Sequence, residues 1–166
     1  MSPGRSLVLP AWLGTDDEAP RSVAEIWATV DLERALAAFA TAAADAADAA
    51  DGAPGSPDPR AALEDPLLGA RVLLLPAHEG RRVALAEPST EGRLAATLAR
   101  HGEGRVGAYL AAPAGLDAIR ARAAAAKVLL SRPEAGPFGR SVLIVPGNPG
   151  GRLLILVERA AVPSRP

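Results

Sequence analysis

The residues able to do chemistry are few in this sequence, and they stand far apart. There are two histidines, His78 and His101, and no cysteine, which excludes thiolate catalysis, cysteine metal sites and disulfides together. His78 falls in a hairpin turn and reads as a solvated residue. His101 ends a helical pattern just before Gly102, where a charged imidazole gains from the helix dipole. A cap contact explains it better than catalysis does. Neither histidine has a second ligand at a metal-binding spacing. Ser89, Ser131 and Ser141 lack both a G-x-S-x-G elbow and a histidine partner. The run G-N-P-G-G at 147–151 resembles a phosphate loop, yet no lysine follows it and the next element is a strand, so it reads as a turn. Glu25, Tyr109 and the arginines remain, and these could do acid–base or oxyanion work without a metal.

Composition narrows the classes further. The chain has 166 residues, enough for one domain or for two small modules sharing a core. Its net charge of −1 gives no electrostatic case for nucleic acid or an anionic membrane. Leu7 to Leu13 is broken by Pro10 and soon followed by Asp16, Asp17 and Glu18. That is too short for a signal segment, and no run of about 18 apolar residues occurs elsewhere. The expectation is a soluble cytoplasmic protein with neither nucleic-acid nor membrane partners. Aromatics make up only 3% of residues, so the core must be built from alanine, leucine and valine.

The elements that must position these residues can be read in order. Residues 1–22 form an extended arm. Val23 to Val30 is a strand by its β-branched and aromatic content, and Asp31 caps a helix with Leu32, Leu36, Phe39 and Ala43 at helical spacing. Asp45, Asp48 and Asp51 oppose the dipole at its end, so fraying is expected there. Asp51 to Pro66 is a proline-rich loop with one helical turn at Arg60 to Leu63. Leu68 to Leu75 and Arg82 to Glu87 pair as a hairpin around His78 to Gly80. Pro88 ends that strand, Ser89 or Thr90 caps a joining helix with Glu91 in its first turn, and Gly102 stops it. Val106 to Ala112 is a strand and Leu116 to Ala126 a helix. Lys127 to Leu130, Ser141 to Val145 and Leu153 to Val157 are strands. Residues 159–166 form a tail. The element order repeats: module 1 covers about 23–88, a joining helix 89–101, and module 2 about 105–158. Two βαβββ modules in one α+β domain follow, since each alone would leave a sheet face bare.

Three phrases in register carry a resemblance: VDLERALAAF, LAEPSTEGRLAATLARHGEG and PGNPGGRLLILVE. With their order they make the chain similar to the vicinal oxygen chelate superfamily, which holds glyoxalase I, methylmalonyl-CoA epimerase, extradiol dioxygenases and bleomycin-resistance proteins. The epimerase branch is the nearest likeness. The resemblance implies paired modules whose strands curl into a cup. Its enzymes hold a divalent metal in that cup with one ligand from each of four strands. Those positions correspond here to Ala24, Ala84, Gly107 and Ile155, none of which can coordinate a metal. No metal, no other cofactor and no catalytic residue is therefore expected.

Alternation along each strand then nominates the rest of the cup wall. Ile26, Arg82, Ala84, Arg105, Gly107, Tyr109, Leu153 and Ile155 are the candidate ligand-binding residues, with Ala86 and Val157 beside them. The two arginines and Tyr109 stand near the rim, able to meet an acidic group. The plainer reading leaves Arg82 and Arg105 in solvent and Tyr109 in the core. Trp27 and Glu25 face the other way. The expected function is non-catalytic binding of a small, mainly apolar organic molecule by a homodimer. A metal-independent isomerase or lyase in the same cup is the alternative. A structural or regulatory partner, its cup filled by another chain or by its own arm through Trp12, is the third reading.

Overall fold

The computed structural model describes residues 9–14, 19–47, 57–77, 82–145 and 151–158. A 3-10 turn at Ala11–Leu13 is followed by strand β1 (Arg21–Ala28) and helix α1 (Leu32–Ala47), then by a second 3-10 turn at Pro59–Ala61. Strands β2 (Leu63–Asp65), β3 (Ala70–Leu74) and β4 (Val83–Pro88) complete the first module, and α2 (Arg93–His101) joins it to the second. That module runs β5 (Gly104–Ala112), α3 (Gly115–Ala125), β6 (Glu134–Gly136), β7 (Gly139–Leu143) and β8 (Leu153–Glu158). The repeated βαβββ order expected from the sequence is present.

All eight strands form one curled mixed sheet in the order β2-β3-β4-β1-β5-β8-β7-β6. The first strands of the two modules, β1 and β5, pair antiparallel at its centre. Each is flanked by the last strand of its own module in parallel, β4 beside β1 and β8 beside β5. A parallel neighbour requires a long crossover, and α1 and α3 lie within those crossovers. The edge strands β2 and β6 come close to one another, so the sheet nearly closes.

Burial follows the strand period. Ala24, Ile26 and Ala28 point into the curl, while Trp27 points outward and meets Phe39 of α1 edge to face, ring centroids 5.3 Å apart. One apolar cluster fills the inside. Two others lie outside, under α1 (Leu32, Leu36, Leu73, Leu85) and under α3 (Leu116, Ile119, Leu110, Leu154). Central strands buried on both faces read as continuous apolar runs, as in β5 and β8.

Several expectations are corrected. The 1–22 segment is not simply an extended arm: Leu13 is fully buried beneath α3, Arg122 Nη1 donates to its carbonyl at 3.1 Å, and β1 begins at Arg21. Trp12 and Leu9 pack on the same outer cluster, so these described residues of the arm lie outside the cup. Strand β2 was expected as loop, and β6 was not expected at all. Gly92, not Ser89 or Thr90, stands at the N-cap of α2, and Glu91 lies before the helix. The physical reason is tertiary: the Leu68 carbonyl accepts Leu94 N at 3.1 Å, and the Gly69 carbonyl accepts Ser89 N and Thr90 N. The expected strand at Lys127 to Leu130 reduces to one bridge, Leu130 with Ile144. There Lys127 takes φ +56° and the chain still wraps the end of α3, with Val128 N donating to Ala123 O and Lys127 N to Ala124 O, a Schellman ending. The His78 turn, the acidic end of α1 at Asp48 and Asp51, the turn at 147–150 and the 159–166 tail lie outside the described residues.

Candidate functional site

Pairing register places the nominated wall residues on two adjacent rows across the sheet. One row runs Ala84, Ile26, Gly107, Leu153 through β4, β1, β5 and β8. The next runs Ala24, Tyr109, Ile155, Leu143 through β1, β5, β8 and β7. Six of the eight candidates are thus brought together: Ile26, Ala84, Gly107, Tyr109, Leu153 and Ile155. Arg82 and Arg105 are not among them. Arg82 is exposed before β4 and contributes its carbonyl, which accepts Glu25 N at 2.9 Å. Arg105 Nη1 donates to Glu25 Oε1 at 3.0 Å. It pairs with Trp27 across a register shift, on the side facing away from the curl.

The interior these rows enclose is packed. Ala24, Ile26, Ala84, Ala86, Ile155 and Tyr109 share one cluster with Leu68 of the β2–β3 turn and Leu94 of the joining helix, all essentially without exposure. A fully buried side chain has no water-sized space beside it, so the four positions that the resemblance assigned to a metal converge on a filled core. Ala24, Ala84 and Ile155 carry only carbon there, and carbon offers a metal nothing. Gly107 is a special case. A Cβ built on it would sit 2.0 Å from the Leu153 carbonyl oxygen, so β5 and β8 approach too closely for any side chain at this position. Beside it, Val106 lies at the shift between the Ile26–Gly107 and Trp27–Arg105 pairs, a β-bulge in the pairing of β1 with β5. The residues present at these four positions do not fit a divalent metal. Among the described residues, no three His, Asp or Glu side chains gather to hold one.

One polar pair faces this interior, and half of it was missed from the sequence. Tyr109 Oη donates to Asp65 Oδ2 at 2.6 Å, and both residues are buried. The other carboxyl oxygen, Oδ1, accepts Leu67 N at 2.9 Å and Leu68 N at 3.3 Å. Burial is the main cause that pushes Asp65 above its usual range, and the Tyr109 and backbone hydrogen bonds oppose it. Burial, then the neighbouring Asp65, pushes the Tyr109 hydroxyl strongly upward, so it stays protonated. Phe138, in the β6–β7 turn, rests on the Tyr109 ring with centroids 4.8 Å apart. The signal that could have found Asp65 was the dipeptide Asp65-Pro66 followed by two leucines. An aspartate whose side chain accepts the amide two residues on is a turn former, and apolar neighbours carry it inward.

A second polar cluster is structural. Glu103, in the α2–β5 turn, accepts from Thr29 Oγ1 at 2.7 Å, Val30 N at 2.8 Å and Arg34 Nη2 at 2.6 Å. Outside the sheet, a cavity of about 210 Å³ lies at the start of α1, lined in part by Asp31, Glu33, Arg60, Arg71 and Glu87. Its Glu87 already accepts Leu32 N and pairs with Arg71. Among the described residues every buried side-chain nitrogen or oxygen has a hydrogen-bond partner, so none is left aimed at a ligand.

No family model and no curated protein matches the sequence. Solved structures match the fold. A hypothetical protein from Bacillus halodurans superposes with a TM-score of 0.64 at 15% identity, over 88% of this chain and 99% of its own. Methylmalonyl-CoA epimerase from Mycobacterium tuberculosis gives 0.64 at 22%, over 91% and 96%. A Streptomyces coelicolor methylmalonyl-CoA epimerase variant in complex with 2-nitronate-propionyl-CoA gives 0.60 at 23%, over 87% and 98%. The fold is that of the vicinal oxygen chelate proteins, as the sequence resemblance implied. Among the described residues no helix is long and apolar enough to cross a membrane.

Proposed function

We propose that this chain is a metal-independent, non-catalytic protein of the vicinal oxygen chelate fold, and that it acts by binding a small, mainly apolar organic molecule in its cup. The observation that carries the reading is the convergence of Ala24, Ala84 and Ile155 in one buried apolar cluster. Neither a Lewis acid nor an acid–base group can be held at those positions. The polar pair next to them is committed to itself, with the Tyr109 hydroxyl donated to Asp65. Glu25, the other acid considered for metal-free catalysis, is on the far side of β1 with Arg105. An isomerase or lyase in the cup therefore has little to work with.

The test is elemental analysis of the purified protein, followed by a thermal-shift screen against apolar small molecules. Substoichiometric metal and a saturable rise in Tm with at least one compound are expected. One equivalent of Fe, Ni, Co, Zn or Mn per chain overturns the metal-free reading. A second reading, a structural or regulatory partner with no small ligand, is favoured by the filled interior: leucines 68 and 94 occupy space that a ligand would need. Self-association belongs to both readings, and light scattering on the eluted protein gives the mass directly. A screen without a hit, together with a dimer mass, selects the second reading.

A further inference from the structure

We infer that the Asp65–Tyr109 hydrogen bond is a latch that holds the two edges of the sheet together, and that releasing it opens the cup along the β2–β6 seam while the centre of the sheet stays folded. The inference takes from the proposed function the cup as the binding compartment and supplies its entrance.

The seam is the one place where the curl is not completed by the strand ladder. Strands β2 and β6 are the two ends of the sheet order, and each is only three residues long. The residues that end them, Asp65 and Gly136, face one another: a Cβ on Gly136 would lie 3.7 Å from Asp65 Oδ2. Both edges then converge on Tyr109 of the central strand β5. The first module's edge holds its hydroxyl through Asp65 at 2.6 Å, and the second module's edge holds its ring through Phe138. Asp65 is itself fixed to its own hairpin. Its side chain accepts from Leu67 N and Leu68 N, and its carbonyl accepts Leu68 N at 3.2 Å and Gly69 N at 2.9 Å. So Asp65 moves with β2 and β3, and among the described residues its bond to Tyr109 is the polar tie at this point between that hairpin and the second module, beside the apolar packing of Leu67 and Leu68.

The remaining contacts divide unevenly. The central pairs, β1 with β4 and β5 and β5 with β8, run four to seven residues in register, whereas β2–β3 and β6–β7 run three. Elements with few ladder bonds open at lower free energy than the global fold. Parting the edges would uncover Leu67, Leu68 and the alkyl wall behind them, the surface an apolar molecule needs.

The experiment is amide hydrogen exchange on the full chain, wild type against Tyr109→Phe, with no ligand present. Loss of a hydrogen bond to a carboxylate corresponds to about tenfold in an opening equilibrium. Exchange at 63–65 and at 134–136 should therefore rise together by about tenfold, with β1, β4, β5 and β8 unchanged. The two edges are far apart in sequence, so their joint response is what a merely local packing role would not give. Acceleration at one edge only, or equally over all strands, overturns the latch. Should Tyr109→Phe not fold, Asp65→Ser serves the same comparison, since its hydroxyl can still accept a backbone amide of the turn but is too short to reach Tyr109. Because exchange needs no ligand, a failed latch leaves the binding screen standing, and a failed screen leaves the latch standing.

Discussion

Thr29 Oγ1 and Glu103 Oε1 stand 2.7 Å apart although 74 positions separate them in the chain. The bond ties the turn after the first strand of one module to the turn before the first strand of the other. Two further donors, Val30 N and Arg34 Nη2, converge on the same carboxylate. They hold Glu103 down to about 2 from its ordinary 4.5, the Val30 amide first, then Thr29, then Arg34. A carboxylate depressed in the folded state contributes stability that is fully present above the unfolded value and lost as pH falls through the folded one.

The first prediction concerns that window. Wild type should lose stability as pH falls from about 4.5 toward about 2, and Glu103→Gln should lose less over the same interval. Urea midpoints measured at several pH values check it. Parallel profiles for the two proteins would show that the cluster has no energetic role.

Asp65 has the opposite sign. Its folded-state value is raised, chiefly by burial, so the fold disfavours the ionised form. Its contribution falls as pH rises above the unfolded value of 3.8. Asp65→Asn should remove that decline, and its profile should flatten where wild type still slopes downward. Asp65→Ala strands the Leu67 amide and a phenol in a buried site, while Leu68 N keeps the main-chain carbonyl, and the cost is about 2–4 kcal/mol. If the alanine variant unfolded at the wild-type midpoint, these hydrogen bonds would be energetically idle.

Gly107→Ala tests the close approach of β5 and β8. Its methyl would meet the Leu153 carbonyl oxygen at 2.0 Å, and only backbone movement can relieve that contact. The expected loss is about 3 kcal/mol or more, read from chemical denaturation. A loss below about 0.5 kcal/mol, the range of ordinary surface changes, would mean that β8 moves freely.

Lys127→Gly should be stabilising. Lys127 has φ +56° at the position where a Schellman ending favours glycine. Relieving the left-handed conformation returns about 1 kcal/mol, reduced by the greater freedom of glycine in the unfolded chain. A rise in Tm of the variant checks it, and a fall would show that the lysine side chain does something the backbone does not explain.

Much of the fold was legible because central strands carry their own pattern. Ala24, Ile26 and Ala28 alternate with Glu25 and Trp27, and that period alone assigns inside and outside correctly. Asp31 caps α1 as its type suggests, accepting Arg34 N at 2.9 Å. The edges were illegible for the converse reason. Leu63–Asp65 lies in a proline-rich run and Glu134–Gly136 between Pro133 and Pro137. Three residues cannot display a period, and their strand state comes from the partner strand. The site suffered in the same way, since half of its polar pair, Asp65, belongs to one of those edges. Arg105 was nominated for the rim by alternation, and the bulge at Val106 reverses the alternation just before it is reached. A bulge is not written in residue types.

Leu13 has a meaning for how the chain is made. It is synthesised well before the surface that buries it, which is built from α3 and from Leu154 and Leu156 of β8. The central β1–β5 pair has the same character, joining residues some 80 positions apart. Contacts of that separation form slowly, because a long loop must close before they are rewarded. The outer layer under α3 therefore joins both halves, and until β8 is in place Leu13 lacks part of the surface that buries it.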